Sequence, residues 1–184
     1  GPGNSTFEIE GRPVSKGELA PRVDLTVVSE TYFDTIRQPV LNGRQFTGHD
    51  DRENQRVGII NLAMARHRWP NEDPIGRRIR LDEGGPLLTI VGVAANVRYA
   101  RLDAVPEPEI YVPYTQRDDT FGAVALIRTT SDPVTLVPAF RQLMERIDKT
   151  LIPDEVMTLE QRVAGTIAPR RWNLLVLGTF AAAA

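Results

Sequence analysis

An α+β fold in two lobes follows from three features of the sequence: a strand-helix-strand pattern over 23–46, a second over 123–157, and a strand-rich stretch of different character between them. In the first unit Val23, Leu25 and Val27 alternate with Asp24 and Thr26, the period of a strand half buried in a sheet. Tyr32, Phe33 and Ile36 then recur at helical spacing. Pro39 ends that helix, because the residue before a proline is pushed out of the helical region, and a strand runs over 40–46 around a turn at Asn42-Gly43.

The polar stretch Thr47 to Arg56 separates this unit from Val57-Gly58-Ile59-Ile60, a short apolar run that predicts a buried strand. Asn61 is a good N-cap for a helix over 62–69, whose Leu62, Ala65 and Trp69 share one face before Pro70 and Pro74 close the segment. Ile79 and Leu81 alternate with Arg78 and Arg80, Glu83-Gly84-Gly85 turns the chain, and 87–97 returns, so the pair reads as a hairpin. A further strand is expected over 110–114.

In the second unit a β-run over 123–128 precedes the clearest helical pattern of the chain. Leu136, Val137, Phe140, Leu143, Met144 and Ile147 keep the spacing of a helix packed on a sheet. Pro138 is tolerated only in a first turn, which places the start near Thr135. A return strand is expected at 155–157, and Thr158-x-x-Gln161 is a capping box that opens one more helix.

The chain has 184 residues, 41% hydrophobic and 25% charged, with a net charge of -2, enough to bury a core but with no basic field for a polyanion, so no nucleic-acid partner is expected. Cysteine is absent, which removes disulfides, thiol catalysis and thiolate metal sites. Gly1-Pro2 resembles the scar of a cleaved purification tag, and 1–22 is expected to be a tag remnant plus an N-terminal segment. At the other end Trp172 to Ala184 is apolar and preceded by Arg170 and Arg171. A bilayer span needs ~20 apolar residues, so 169–184 reads as the truncated start of a transmembrane helix. Arg170, Arg171 and Trp172 are its membrane-interface residues, by snorkelling and by the interfacial preference of Trp. The alternative for the same run is the last core helix of a soluble domain.

Catalytic chemistry is not expected. His49 and His67 lack zinc-ligand spacing; His67, between Arg66 and Arg68, reads as part of a solvated helix face, and His49-Asp50-Asp51 as a turn. Asp118-Asp119 and the Glu107/Glu109 pair have no positioned partner. No phosphate loop, Walker motif or G-x-S-x-G elbow occurs. Arg77, Arg78, Arg80, Arg98 and Arg101 read as a solvated strand face. No catalytic, cofactor-binding or metal-binding residue is therefore assigned, and the chain is not expected to be an enzyme.

Four blocks, VSETYFDTIRQPVLNGRQF (28–46), VGIINLAMARHRWPNEDPIGRRIRL (57–81), LTIVGVAANVRY (88–99) and PEIYVPYTQ (108–116), carry a resemblance that spans nearly the whole chain. In their order, with G-R-x-F after the first helix, N-x-x-x-A followed by W-P and D-P-I-G, and the V-G-V strand, the chain resembles the periplasmic core domain of MacB-type and related FtsX-like ABC transporter permeases. The resemblance implies a two-lobe ectodomain: a porter-like strand-helix-strand lobe from 23–46 and 121–168, and a small mixed α/β lobe inserted at 47–120. It also implies a place on the periplasmic side of the bacterial inner membrane, between transmembrane helices that tether it there. The implied partners are a cytoplasmic ABC ATPase domain or subunit, a second permease copy in a dimer, and a periplasmic adaptor or cargo. The implied role is mechanotransmission, the relay of ATP-driven motion to efflux or other transport. Two competing functions carry weight beside it: a membrane-tethered ligand-sensing module and, less well supported by the residues, an envelope hydrolase.

Overall fold

The VGII run forms a strand because it is apolar on both faces, and it lies near the middle of the sheet. The computed structural model describes residues 3–12, 14, 17–82, 84–97, 105–117, 124–148 and 156–161. Its elements in chain order are β1 (Gly3–Ile9), β2 (Arg22–Val28), α1 (Tyr32–Ile36), β3 (Val40–Gly43), β4 (Val57–Asn61), α2 (Leu62–Arg68), β5 (Arg78–Leu81), β6 (Leu87–Ala94), β7 (Glu109–Pro113) and α3 (Val137–Ile147). Short 3-10 turns cover Tyr114–Gln116 and Pro133–Leu136. The fold is α+β, and the chain divides into two compact units, one holding the described residues up to Ile127 and the other those from Arg128.

All strands among the described residues join one seven-stranded sheet in the order β3-β6-β4-β7-β2-β1-β5. β5 pairs β1 through Phe7↔Leu81 and also pairs β6 through Ile79↔Leu88, so the ring β1-β2-β7-β4-β6-β5 closes on itself. Closure hides the backbone donors and acceptors that an open sheet edge would leave unpaired. β3 joins β6 beside β5 and leaves one strand edge outside the ring. The parallel pairs β2·β7 and β4·β6 need long crossovers; α2 lies within the second.

Alternation sorts the core onto two faces. Phe7, Val23, Ile60, Met64, Trp69, Ile79, Ile90, Ile110 and Val112 make one cluster, which includes the buried face of α2. Val28, Phe33, Phe46, Val57, Ile59 and Tyr111 make the other, capped by Phe33 of α1. The Phe33 ring meets Tyr111 edge-on at 5.1 Å. Local signals place α1 and α2 as expected, whereas α3, expected to pack on a sheet, has no buried residue among those described. The Asn61 side chain accepts from the Met64 N–H at the start of α2, and α1 ends at Arg37 in the left-handed region, φ 57°, just before Gln38-Pro39.

Four expectations are corrected. The grouping of 23–46 apart from 47–120 fails, because β2 pairs β7 and β3 pairs β6 within the same sheet; alternation makes a strand but does not choose its neighbours. Within 1–22, residues 3–9 form a strand with Phe7 in the core, so this stretch is part of the domain rather than a remnant and a lead-in. The β-run over 123–128 is not seen: 124–129 carries no strand, and Val124 and Ile127 are exposed. The return strand at 155–157 falls partly outside the described residues, and 156–158 forms none.

Candidate functional site

Several polar groups that the sequence offered as chemistry are engaged in building the fold. Asp50 is buried, and its carboxylate accepts from both Arg44 Nη atoms at 2.8 Å and from the Thr47 N–H at 2.8 Å. Burial alone would raise its carboxyl; the Arg44 hydrogen bonds, Thr47 and the Arg44 charge together bring it below the ordinary value. Asp51 Oδ1 accepts from the Glu53 and Asn54 N–H groups, which makes the expected turn after His49. His67 is exposed on α2. Among the described residues no group of three or more His, Cys, Asp or Glu is placed to hold a metal ion.

The arginines of the expected basic face are likewise spoken for where described. Arg77 pairs Glu72 at 3.1 Å, Arg78 makes two 2.6 Å bonds to Glu10, and Arg80 donates to the Gly85 carbonyl. Arg98 and Arg101, like Asp118 and Asp119, lie outside the described residues.

Two features escaped the sequence reading. Glu109 is buried in β7, accepting from Thr26 Oγ1 at 2.8 Å and from the Tyr111 hydroxyl at 2.7 Å, and that hydroxyl accepts from Gln38 Nε2 at 3.0 Å. Beside it on β2, burial and then the Glu107 charge raise the Asp24 carboxyl above its ordinary value. The second is Gln116, also buried, which organises the stretch over 47–56. Its Nε2 donates to the carbonyls of Asp51 and Gln55, its Oε1 accepts from the Val57 N–H, and its own carbonyl accepts from Arg56. Thr115 Oγ1 adds a bond to the Asp50 carbonyl. What read as a polar spacer is a loop pinned at both ends. The alternating Glu107/Glu109 pair was a sequence signal for the first; a lone Gln after Tyr-Thr was no signal for the second.

β1 is held on two strands, by β2 at 3–6 and by β5 at 7–9. The Asp82 carboxylate at the β5–β6 turn accepts from Ser5 Oγ, Thr6 Oγ1 and the Thr6 N–H, and the Asp82 N–H donates to the Thr6 carbonyl at 2.9 Å. In the second unit, α3 starts with Pro138 in its first turn, as expected, and presents Leu143 and Ile147 at 54% and 66% exposure. The Thr158 capping box is formed: Gln161 N–H donates to Thr158 Oγ1 at 3.1 Å and Thr158 N–H to Gln161 Oε1 at 2.9 Å. Arg170, Arg171 and Trp172 lie outside the described residues. No helix among the described residues is long and apolar enough to cross a membrane.

Comparison with known proteins agrees with this architecture. The family described as MacB-like periplasmic core domain matches residues 4–147. An uncharacterized ABC transporter permease of Bacillus subtilis, YknZ, is 27% identical over 150 residues, 77% of this chain and 37% of that protein's length. The crystal structure of the periplasmic region of MacB from Actinobacillus actinomycetemcomitans superposes with a TM-score of 0.56 at 16% identity, covering 79% of this chain and 63% of that one. The extracellular domain of the noncanonic ABC-type transporter YknZ from Gram-positive bacteria gives 0.54 at 21% identity, covering 82% and 74%. At these identities the superpositions establish a shared fold.

Proposed function

Since the chain belongs to the MacB-like periplasmic core domain family, we propose that it acts as the extracytoplasmic domain of a bacterial ABC transporter permease, relaying ATP-driven cytoplasmic motion to transport or efflux. The observation that carries this reading is the extent of the family match, which begins inside β1 and ends at the last residue of α3. The proposed partners are an ABC ATPase in a separate domain or subunit, a second permease copy, and an adaptor or cargo on the extracytoplasmic side. The domain itself contributes no chemistry to ATP hydrolysis.

A relay needs attachments that do not slip, and the architecture supports this. β1 is paired on both sides and pinned by Asp82, while Thr158 caps the helical turn that leads toward Arg170, Arg171 and Trp172. We assign those three residues to a membrane interface, with the arginine side chains snorkelling to the headgroups and the indole at the boundary. Motion of a membrane helix would then reach the second unit through the chain that follows Thr158.

The test is a flexible Gly-Ser linker inserted after Arg170 in the full-length transporter. A slack tether transmits little displacement, so folding and ATP hydrolysis are expected to persist while transport is lost. Full transport with the linker in place rejects the relay.

A further inference from the structure

The strand outside the closed ring carries an exposed Asn42-Gly43 pair. Asn42 is the one asparagine of this sequence that precedes a glycine. Both residues sit exposed in β3, next to an irregularity in its pairing with β6 between Val40 and Asn42. The fold demands glycine at 43: its φ is 75°, and a Cβ there would lie 2.2 Å from the Val91 carbonyl oxygen. Arg44, one residue on, supplies the N–H that Val91 O accepts. The Gly43 N–H instead donates to Oδ1 of Asn42 at 2.9 Å.

We infer that Asn42-Gly43 is a site of covalent modification in the folded protein, where the Gly43 nitrogen attacks the Asn42 carboxamide and converts it through a succinimide to aspartate and isoaspartate. The 2.9 Å hydrogen bond keeps the Asn42 carboxamide beside the Gly43 nitrogen, so that a turn of the amide plane is the motion needed to bring Cγ to the ~3–3.5 Å of a near-attack arrangement. Glycine leaves the approach unhindered by a side chain. Hydroxide takes the Gly43 amide proton, the nitrogen bonds to Cγ, and the Cγ–Nδ2 bond breaks, with Nδ2 leaving as ammonia after taking a proton from water. Water then opens the ring. Cleavage at the side-chain carbonyl leaves an ordinary aspartate in place of Asn42, and cleavage at the main-chain carbonyl yields isoaspartate with an extra methylene in the backbone.

The neighbourhood gives the change a local consequence. Asn42 Nδ2 donates to Asp73 Oδ1 at 3.2 Å. The reaction replaces that donor with a second carboxylate, so an attraction between β3 and the segment after α2 becomes a repulsion.

The protein is incubated in mildly alkaline buffer and digested, and its peptides are followed by mass spectrometry, with isoaspartate counted by enzymatic methylation. The peptide holding Asn42 is expected to gain the mass of an NH-to-O exchange, as aspartate and isoaspartate together, roughly tenfold or more faster than the exposed Asn54. Water labelled with heavy oxygen marks the ring opening, and Asn42→Gln abolishes the signal without disturbing Gly43. Conversion no faster than at Asn54, or conversion at Asn42 only in urea-unfolded protein, overturns the inference.

Discussion

Ser5 Oγ lies 2.8 and 2.7 Å from the two carboxylate oxygens of Asp82, joining β1 to the β5–β6 turn at the place where the ring of strands closes. The contact spans most of the sheet in sequence and repeats through Thr6, so one carboxylate holds the strand by three donors. Burial pushes the Asp82 carboxyl up, but the Ser5 and Thr6 hydrogen bonds and the Arg117 charge bring it below its ordinary value.

Asp82→Asn keeps a residue that tolerates the positive φ of 54° but loses charged acceptors. A cost of about 1–2 kcal/mol is expected. It should appear as a lower urea midpoint with an unchanged denaturant slope. Stability equal to the parent would mean that the ladder alone holds β1.

Replacing Gln116 by Ala should cost more, about 2–3 kcal/mol, because the Val57 N–H and the Asp51 and Gln55 carbonyls each lose a partner beside a buried position. Hydrogen exchange would show the loss in the stretch over 47–56 first. Uniform loosening of the whole sheet, with that stretch unaffected, would contradict the clamp.

Acid should act in two stages. Asp24 titrates above its ordinary value of 3.8 in the folded protein, so between that value and the raised one the folded state binds the extra proton, and stability rises slightly as pH falls. Asp50 and Asp82 titrate below 3.8 when folded; their contribution is full above that value and is lost as pH falls through their folded values. Urea midpoints over an acid series should therefore hold or rise gently and then drop. Asp50→Asn should flatten part of the drop, and an identical acid limb in that variant would remove Asp50 from the account.

Helices and most strands were legible because their signals are local. Asn61 caps α2, Pro138 sits in the first turn of α3, and Thr158 and Gln161 bond each other, all through groups a few residues apart. The hairpin of β5 and β6 was readable for the same reason, since its turn and its alternation adjoin. The candidate site was less legible: the buried Glu109-Tyr111-Gln38 chain and the Gln116 clamp depend on partners far away in sequence, and a single Glu or Gln has no pattern.

By itself, then, the sequence determined the α+β class, the caps, the two-faced burial of β4 and the apolar stripe of α3, because side-chain periodicity and capping are properties of neighbouring residues. Apart from the β5–β6 hairpin, tertiary structure alone decided which strands meet. β2 lies against β7, and β5 joins both β1 and β6 to close the ring. β1, whose first residues carry little apolar pattern, becomes a strand because β2 and β5 supply hydrogen-bond partners and Asp82 supplies an anchor. Backbone pairing is nearly blind to side-chain identity, so the choice of neighbour rests on which closed arrangement buries both apolar faces while leaving the fewest donors and acceptors unpaired.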